Sequence, residues 1–100
     1  MENPFESQPR VFVVDDELEI AKMLTVVLQM NLFNVVSFTD PGVALESARG
    51  SAPDYLISNI GMPGMSGIDL AIAIRRDVPT CKRLLFSGPR VDPASTGVRV

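Results

Sequence analysis

The chain has 100 residues, of which 46% are apolar, enough for one domain with a single packed core. A formal net charge of -3 and a pI of about 4.7 offer no basic surface to a phosphate backbone, so we expect no nucleic-acid binding. No apolar run approaches the roughly 20 residues of a membrane span, and residues 1–10 lack a secretory signal pattern, which predicts a cytoplasmic chain without membrane contact.

The first half of the chain predicts two strands separated by a helix. Residues 10–14 form a valine-rich apolar run, suited to a strand that is buried on both faces. Ile20, Leu24, Val27 and Leu28 then recur at helical spacing, which predicts one apolar stripe on a helix over residues 18–30. A second strand follows at residues 34–38.

The second half continues the alternation of strand and helix, which is typical of a parallel sheet with helices on both faces. Asp40 followed by Pro41 is an N-cap and first-turn pair that opens a second helix, which ends before Gly50. The remaining elements are a third strand at residues 55–58, a third helix around Leu70, Ala71 and Ile74, and a fourth strand at residues 84–86.

The alternation fails after Gly88, because residues 89–100 contain two prolines, a glycine and no helical period. The sequence therefore predicts three segments. Residues 1–9 are an N-terminal extension, residues 10–88 form the domain and residues 89–100 form an irregular tail.

Two segments carry the chemically informative residues. Asp15 and Asp16 directly follow the first strand, and the run Met-Pro-Gly-Met-Ser-Gly at residues 62–67 follows the third. Together they resemble the receiver domain of bacterial two-component response regulators. The resemblance implies a flavodoxin-like α/β fold, a doubly wound parallel sheet of order 2-1-3-4 that here lacks the family's fifth strand and fifth helix.

The resemblance also implies a site at the carboxyl ends of the strands, where ligands collect in an open parallel sheet. Asp15, Asp16, Asn59 and the carbonyl group of Gly61 match the positions that hold Mg²⁺ in the family. Asn59 stands where the family carries the aspartate that accepts a phosphoryl group. Because an amide is a poor nucleophile, we expect no phosphoryl acceptance. Because Asn59 also removes one negative charge from the metal site, we expect only weak Mg²⁺ binding. Ser87 matches the residue that senses the phosphoryl group.

Each of these residues also has a simpler interpretation. The acidic run at residues 15–17 can serve as a helix N-terminal charge cluster, worth about 0.3–1 kcal/mol per charge, and Ser87 as a strand-end turn residue. In the family, a lysine at the end of the fifth strand contacts the phosphoryl group, and this chain has no counterpart of that lysine. Lys22 and Lys82 are the two lysines of the chain, and neither is expected near the site.

Three functions compete. The preferred one is a receiver-like module of a two-component phosphorelay that is not an enzyme, has no catalytic residues and contacts a protein partner, either a histidine kinase or an output protein. The second is a ligand-free scaffold or oligomerisation domain. The third is a Mg²⁺-dependent phosphatase, which needs Asp-x-Asp spacing where this chain has adjacent aspartates.

Association is expected on separate grounds. Without a fifth strand, residues 84–86 form an unprotected edge, and without a fifth helix part of one sheet face is bare. We therefore expect a homo-oligomer, built through strand four or the uncovered sheet face.

Overall fold

A four-stranded parallel sheet of order β2-β1-β3-β4 forms the centre of the computed structural model, which describes residues 8–88, 90–91 and 98–99. This confirms the predicted flavodoxin-like doubly wound fold. The strands are β1 (Arg10–Val14), β2 (Asn34–Phe38), β3 (Tyr55–Asn59) and β4 (Lys82–Phe86). The helices are α1 (Leu18–Met30), α2 (Pro41–Gly50) and α3 (Gly67–Asp77).

β1 is the central strand, since it pairs in parallel with both β2 and β3. Its apolar residues 11–14 are all at most 1% exposed, as expected of a strand covered on both faces. Val14 lies opposite Phe38 of β2 and Ser58 of β3, so the carboxyl ends of the three strands reach the same edge of the sheet. The residues that follow β1 and β3 are therefore brought together there.

The two faces of the sheet are covered unequally. α2 and α3 pack on one face, where the main core lies, while α1 packs against β1 and β2 on the other. On the α1 side Ile57 is half-buried, and Leu84 of β4 is 62% exposed. The core on the α2–α3 face includes Phe12, Val14, Ala44, Ala48, Leu56, Leu70 and Ile74.

Between α1 and β4 the sheet face forms an apolar groove of about 260 Å³. Four apolar side chains within residues 23–30 of α1 are each more than half exposed as well. We call the groove and these side chains together the open α1 face. Its lining includes Leu28, Phe33, Tyr55, Ile57 and Leu84, and the exposed helical side chains are Met23, Val26, Val27 and Met30.

The segment after Gly88 differs from the sequence-based prediction of an irregular tail. Arg90–Val91 (β5) and Val98–Arg99 (β6) pair as a short antiparallel ladder, separate from the main sheet. Each of these strands contains a β-branched valine, a residue type that favours extended backbone. The prolines and the glycine of residues 89–100 led to the prediction of irregular structure instead. The predicted extension at residues 1–9 falls mostly on residues 1–7, which lie outside the described residues.

Smaller differences concern the ends of elements. β3 runs one residue further than predicted, to Asn59. Asp40 caps α2 as predicted, because its Oδ1 accepts hydrogen bonds from the backbone N–H groups of Gly42 and Val43, at 2.8 and 3.4 Å. No helix in the described part of the chain is long and apolar enough to cross a membrane.

Candidate functional site

Asp15 follows the last residue of β1 and is only 1% exposed. Its backbone N–H donates to the carbonyl oxygen of Phe38 at 3.0 Å, so it remains tied to the end of β2. Its carboxylate Oδ1 accepts a hydrogen bond from the backbone N–H of Glu17 at 2.9 Å. This side chain to backbone bond turns the chain toward α1. The carboxylate is thereby held in one place, whereas the neighbouring Asp16 is exposed.

Burial raises the pKa of the Asp15 carboxyl group above its ordinary value, and the negative charge of Asp16 raises it further. The hydrogen bond from the Glu17 N–H and the interaction with the Asn59 side chain lower this pKa, but they do not offset the burial. The ionised form of Asp15 is therefore unfavourable here without a positive partner. A proton or a cation near this carboxylate would relieve the cost.

Asn59 is the last residue of β3, and its side chain is half-buried. Its amide Nδ2 donates to the backbone carbonyl oxygen of Gly61 at 3.4 Å. The following backbone is fixed by two further bonds. The N–H of Ile60 donates to the carbonyl oxygen of Phe86 at 2.8 Å, and the N–H of Gly67 donates to that of Ile60 at 2.9 Å.

A single pocket of about 460 Å³ at this edge of the sheet contains every residue that the sequence singled out for the site. Its polar end is formed by Asp15, Asp16, Asn59, Gly61 and Ser87. Their convergence follows from the strand order, because β1, β3 and β4 are neighbours and all end here. The functional roles assigned to these five residues stay predictions.

The opposite wall of the pocket is apolar and was not anticipated from the sequence. It consists of Ile20, Met23 and Leu24 of α1 together with Phe86 of β4. The helical spacing of the α1 residues indicated a buried stripe, but the stripe alone did not show that part of it faces a pocket. Neither Lys22 nor Lys82 is among the lining residues, in agreement with expectation.

The number of charged metal ligands at the site is small. Within residues 8–88 and the two short strands, no three histidine, cysteine, aspartate or glutamate side chains are grouped so that they could hold a metal ion. Three carboxylate residues line the pocket, Asp15, Asp16 and Glu17, and the backbone carbonyl of Gly61 adds a further hard oxygen donor. This donor type suits Mg²⁺, which accepts one or two carboxylates and keeps several waters.

Comparison with protein families supports the resemblance drawn from the two motifs. Residues 11–97 match the family model of the response regulator receiver domain. The chain belongs to this family. As a receiver domain of a two-component response regulator, it has the architecture expected from its sequence.

Curated relatives of this receiver include two mycobacterial regulators. It is 36% identical over 95 residues to the transcriptional regulatory protein PrrA of Mycobacterium tuberculosis, which covers 92% of this chain and 40% of PrrA. It is 38% identical over 68 residues to the DNA-binding response regulator MtrA of the same species, covering 68% of this chain and 30% of MtrA. The receiver thus spans less than half the length of either relative.

Solved structures show the same fold. The chemotaxis protein CheY4 of Vibrio cholerae aligns with a TM-score of 0.77 and 27% identity, over 88% of this chain and 74% of that one. The response regulator TrrA of Thermotoga maritima, crystallised with Mg²⁺ and BeF, aligns with a TM-score of 0.76 and 31% identity, over 80% of this chain and 70% of that one.

Proposed function

We propose that this receiver is a signalling module that does not accept a phosphoryl group and acts through protein–protein contact. One observation carries the proposal. The side chain at the end of β3, which faces the pocket beside Asp15, is the neutral amide of Asn59. Phosphoryl transfer to this position requires a carboxylate oxygen as nucleophile, and an amide oxygen does not form a stable acyl phosphate.

Intact mass spectrometry tests this proposal directly. The receiver is incubated with a small-molecule phosphoryl donor and Mg²⁺, and its mass is measured at intervals. We expect no added phosphoryl group. A stable gain of one phosphoryl group that peptide mapping places at residue 59 or its neighbours would refute the proposal.

We further propose that the pocket binds Mg²⁺ weakly. The donor chemistry supports this, since Asp15 and Asp16 contribute carboxylates and Gly61 contributes a carbonyl oxygen to the same pocket. The TrrA structure contains Mg²⁺, which supports a magnesium site in a related receiver. When bound, the ion would neutralise the two carboxylates. With Asn59 at the end of β3, one negative charge fewer is available than in a site that has an aspartate there.

The partner is proposed to be a protein, either a histidine kinase or an output protein, and the module is proposed to be cytoplasmic and not an enzyme. The DNA binding named for MtrA belongs to that longer protein. For the present receiver we propose no nucleic-acid contact, on the basis of its net charge of -3.

Self-association is proposed as a second property, because a specific surface favours it. Leu84 is 62% exposed in β4, the last strand of the main sheet, and it borders the apolar groove of the open α1 face. An edge strand beside an apolar face favours pairing with another chain. A second copy of this chain provides the same surface, so a symmetric contact would bury both.

A further inference from the structure

The side chain of Asn59 donates a hydrogen bond to an oxygen atom that would bind the ion in the proposed Mg²⁺ site. Its Nδ2 donates to the carbonyl oxygen of Gly61 at 3.4 Å. The same side chain also lowers the pKa of the Asp15 carboxyl group, so it favours the ionised carboxylate as a nearby cation would.

We propose that the Asn59 amide takes the place of the cation in the metal-free receiver and competes with Mg²⁺ instead of binding it. The sequence predicts Asn59 as one of four metal-binding residues, and this inference assigns it the opposite role. It rests on the proposed Mg²⁺ site. In this arrangement Asn59 is a positioning residue, whose N–H group holds the Gly61 carbonyl group in the loop after β3.

The physical reason is that an N–H group and a cation seek the same lone pairs. A carbonyl oxygen has two, so Mg²⁺ can still approach Gly61, but the positive end of the Asn59 N–H dipole then lies beside the ion. At 3.4 Å the existing bond is long and weak, and an ion can displace it at a modest cost. Metal binding and the Asn59 contact therefore oppose each other.

Calorimetric titration with MgCl₂ separates a competitor from a ligand. The Asn59→Ala substitution removes both the N–H donors and the amide oxygen. Because the Asn59 bond is long and weak, its loss should tighten Mg²⁺ binding by about 2- to 3-fold, the lower end of what one hydrogen bond contributes. Loss of a ligand should weaken it instead. Asn34→Ala, which removes an exposed asparagine from the amino end of β2, should leave the affinity unchanged.

Three outcomes would overturn the inference: weaker binding by Asn59→Ala, binding equal to that of the parent, or no binding by either protein. Equal binding shows that freeing the Gly61 carbonyl gains nothing, and no binding by either protein shows that there is no metal site for Asn59 to compete for. Phosphoryl uptake in the mass measurement described above would refute the proposed function alone. The two failures are therefore distinguishable.

Thermal unfolding in the presence of a chelator gives a readout that does not depend on metal. If the amide holds the loop in the absence of Mg²⁺, Asn59→Ala should lower Tm by about 2–4 °C, whereas Asn34→Ala should not. An unchanged Tm for Asn59→Ala would contradict the positioning role. Should the alanine variant fail to fold, Asn59→Ser provides the same comparison, since its short side chain lacks the amide group.

Discussion

Gly67, the first residue of α3, lies directly against the backbone carbonyl group of Asn59. A Cβ atom at position 67 would overlap the carbonyl oxygen of Asn59 and lie 2.8 Å from its carbonyl carbon. The N–H of Gly67 meanwhile donates to the carbonyl oxygen of Ile60. The last glycine of the Met-Pro-Gly-Met-Ser-Gly run thus allows α3 to begin against the end of β3, and it fixes the backbone on which the pocket depends.

The Gly67→Ala substitution is accordingly expected to destabilise the receiver by about 1–3 kcal/mol, because the methyl group meets backbone atoms that cannot yield without moving the strand end. Gly50→Ala is the matched control. No atom lies within 4 Å of a Cβ at that position, so its effect should be neutral or stabilising by up to about 1 kcal/mol. Urea unfolding measures both. Equal stabilities for the two variants would contradict the close approach.

The Asn59→Asp substitution restores the carboxylate nucleophile, and we expect it to permit at most slow phosphoryl acceptance from a small-molecule donor with Mg²⁺. The reason for the low rate is that no lysine lines the pocket within the described residues to neutralise the phosphoryl oxygens. Intact mass measured over time, with the parent as control, gives the rate. Complete and rapid modification would show that the absent cation is not needed.

Mg²⁺ affinity is expected to depend on both aspartates of the pocket. Asp15→Ala and Asp16→Ala should each weaken binding by at least about tenfold, the equivalent of 1.4 kcal/mol, since each removes one of the two carboxylates proposed to bind the ion. Glu46→Ala removes an equal charge from an exposed position on α2 and should have little effect. If the double variant of Asp15 and Asp16 binds Mg²⁺ as tightly as the parent, the acidic run serves only the start of α1.

The raised pKa of Asp15 predicts a pH-dependent stability. The folded protein holds this proton more tightly than the unfolded chain, so the contribution is fully present below the unfolded pKa of about 3.8 and is lost as the pH rises through the folded pKa. At pH 7 the ionised carboxylate then opposes folding. In metal-free buffer, Asp15→Asn should increase the free energy of unfolding at pH 7, with a difference that shrinks as the pH falls. A difference independent of pH would contradict the burial of this charge.

Association through the open α1 face is expected to depend on Leu84. Burial of a leucine contributes about 1.5–3 kcal/mol, so Leu84→Glu should weaken self-association by at least about tenfold. Ile72→Glu places the same charge on α3, where Ile72 is 50% exposed, and should leave association unchanged. Light scattering over a dilution series measures both. A parent protein that is monomeric at every concentration would remove the basis for this proposal.

Sequence patterns predicted the strands and the three helices, because β1 is an uninterrupted apolar run and the apolar residues of α1 recur at helical spacing. The sheet order and the residues that meet at the pocket were implied by the resemblance to the receiver family. The sequence did not predict that Gly67 must lack a side chain, since the contact with Asn59 depends on how α3 meets β3 in space. The direction of the Asn59 amide was equally inaccessible, because the choice between its oxygen and its nitrogen is made by the neighbouring Gly61 carbonyl.

Because the two faces of the sheet are covered unequally, the residues that determine stability and those available for binding lie on opposite faces. Phe12, Leu56 and Ile74 are fixed by the close packing between the sheet and the α2–α3 layer, where even a lost methylene is costly. Met23, Val27 and Leu84, on the opposite side, are more than half exposed and can be exchanged at little expense to stability. A new binding preference can therefore evolve on the open α1 face, one residue at a time, without first finding compensating changes in the interior.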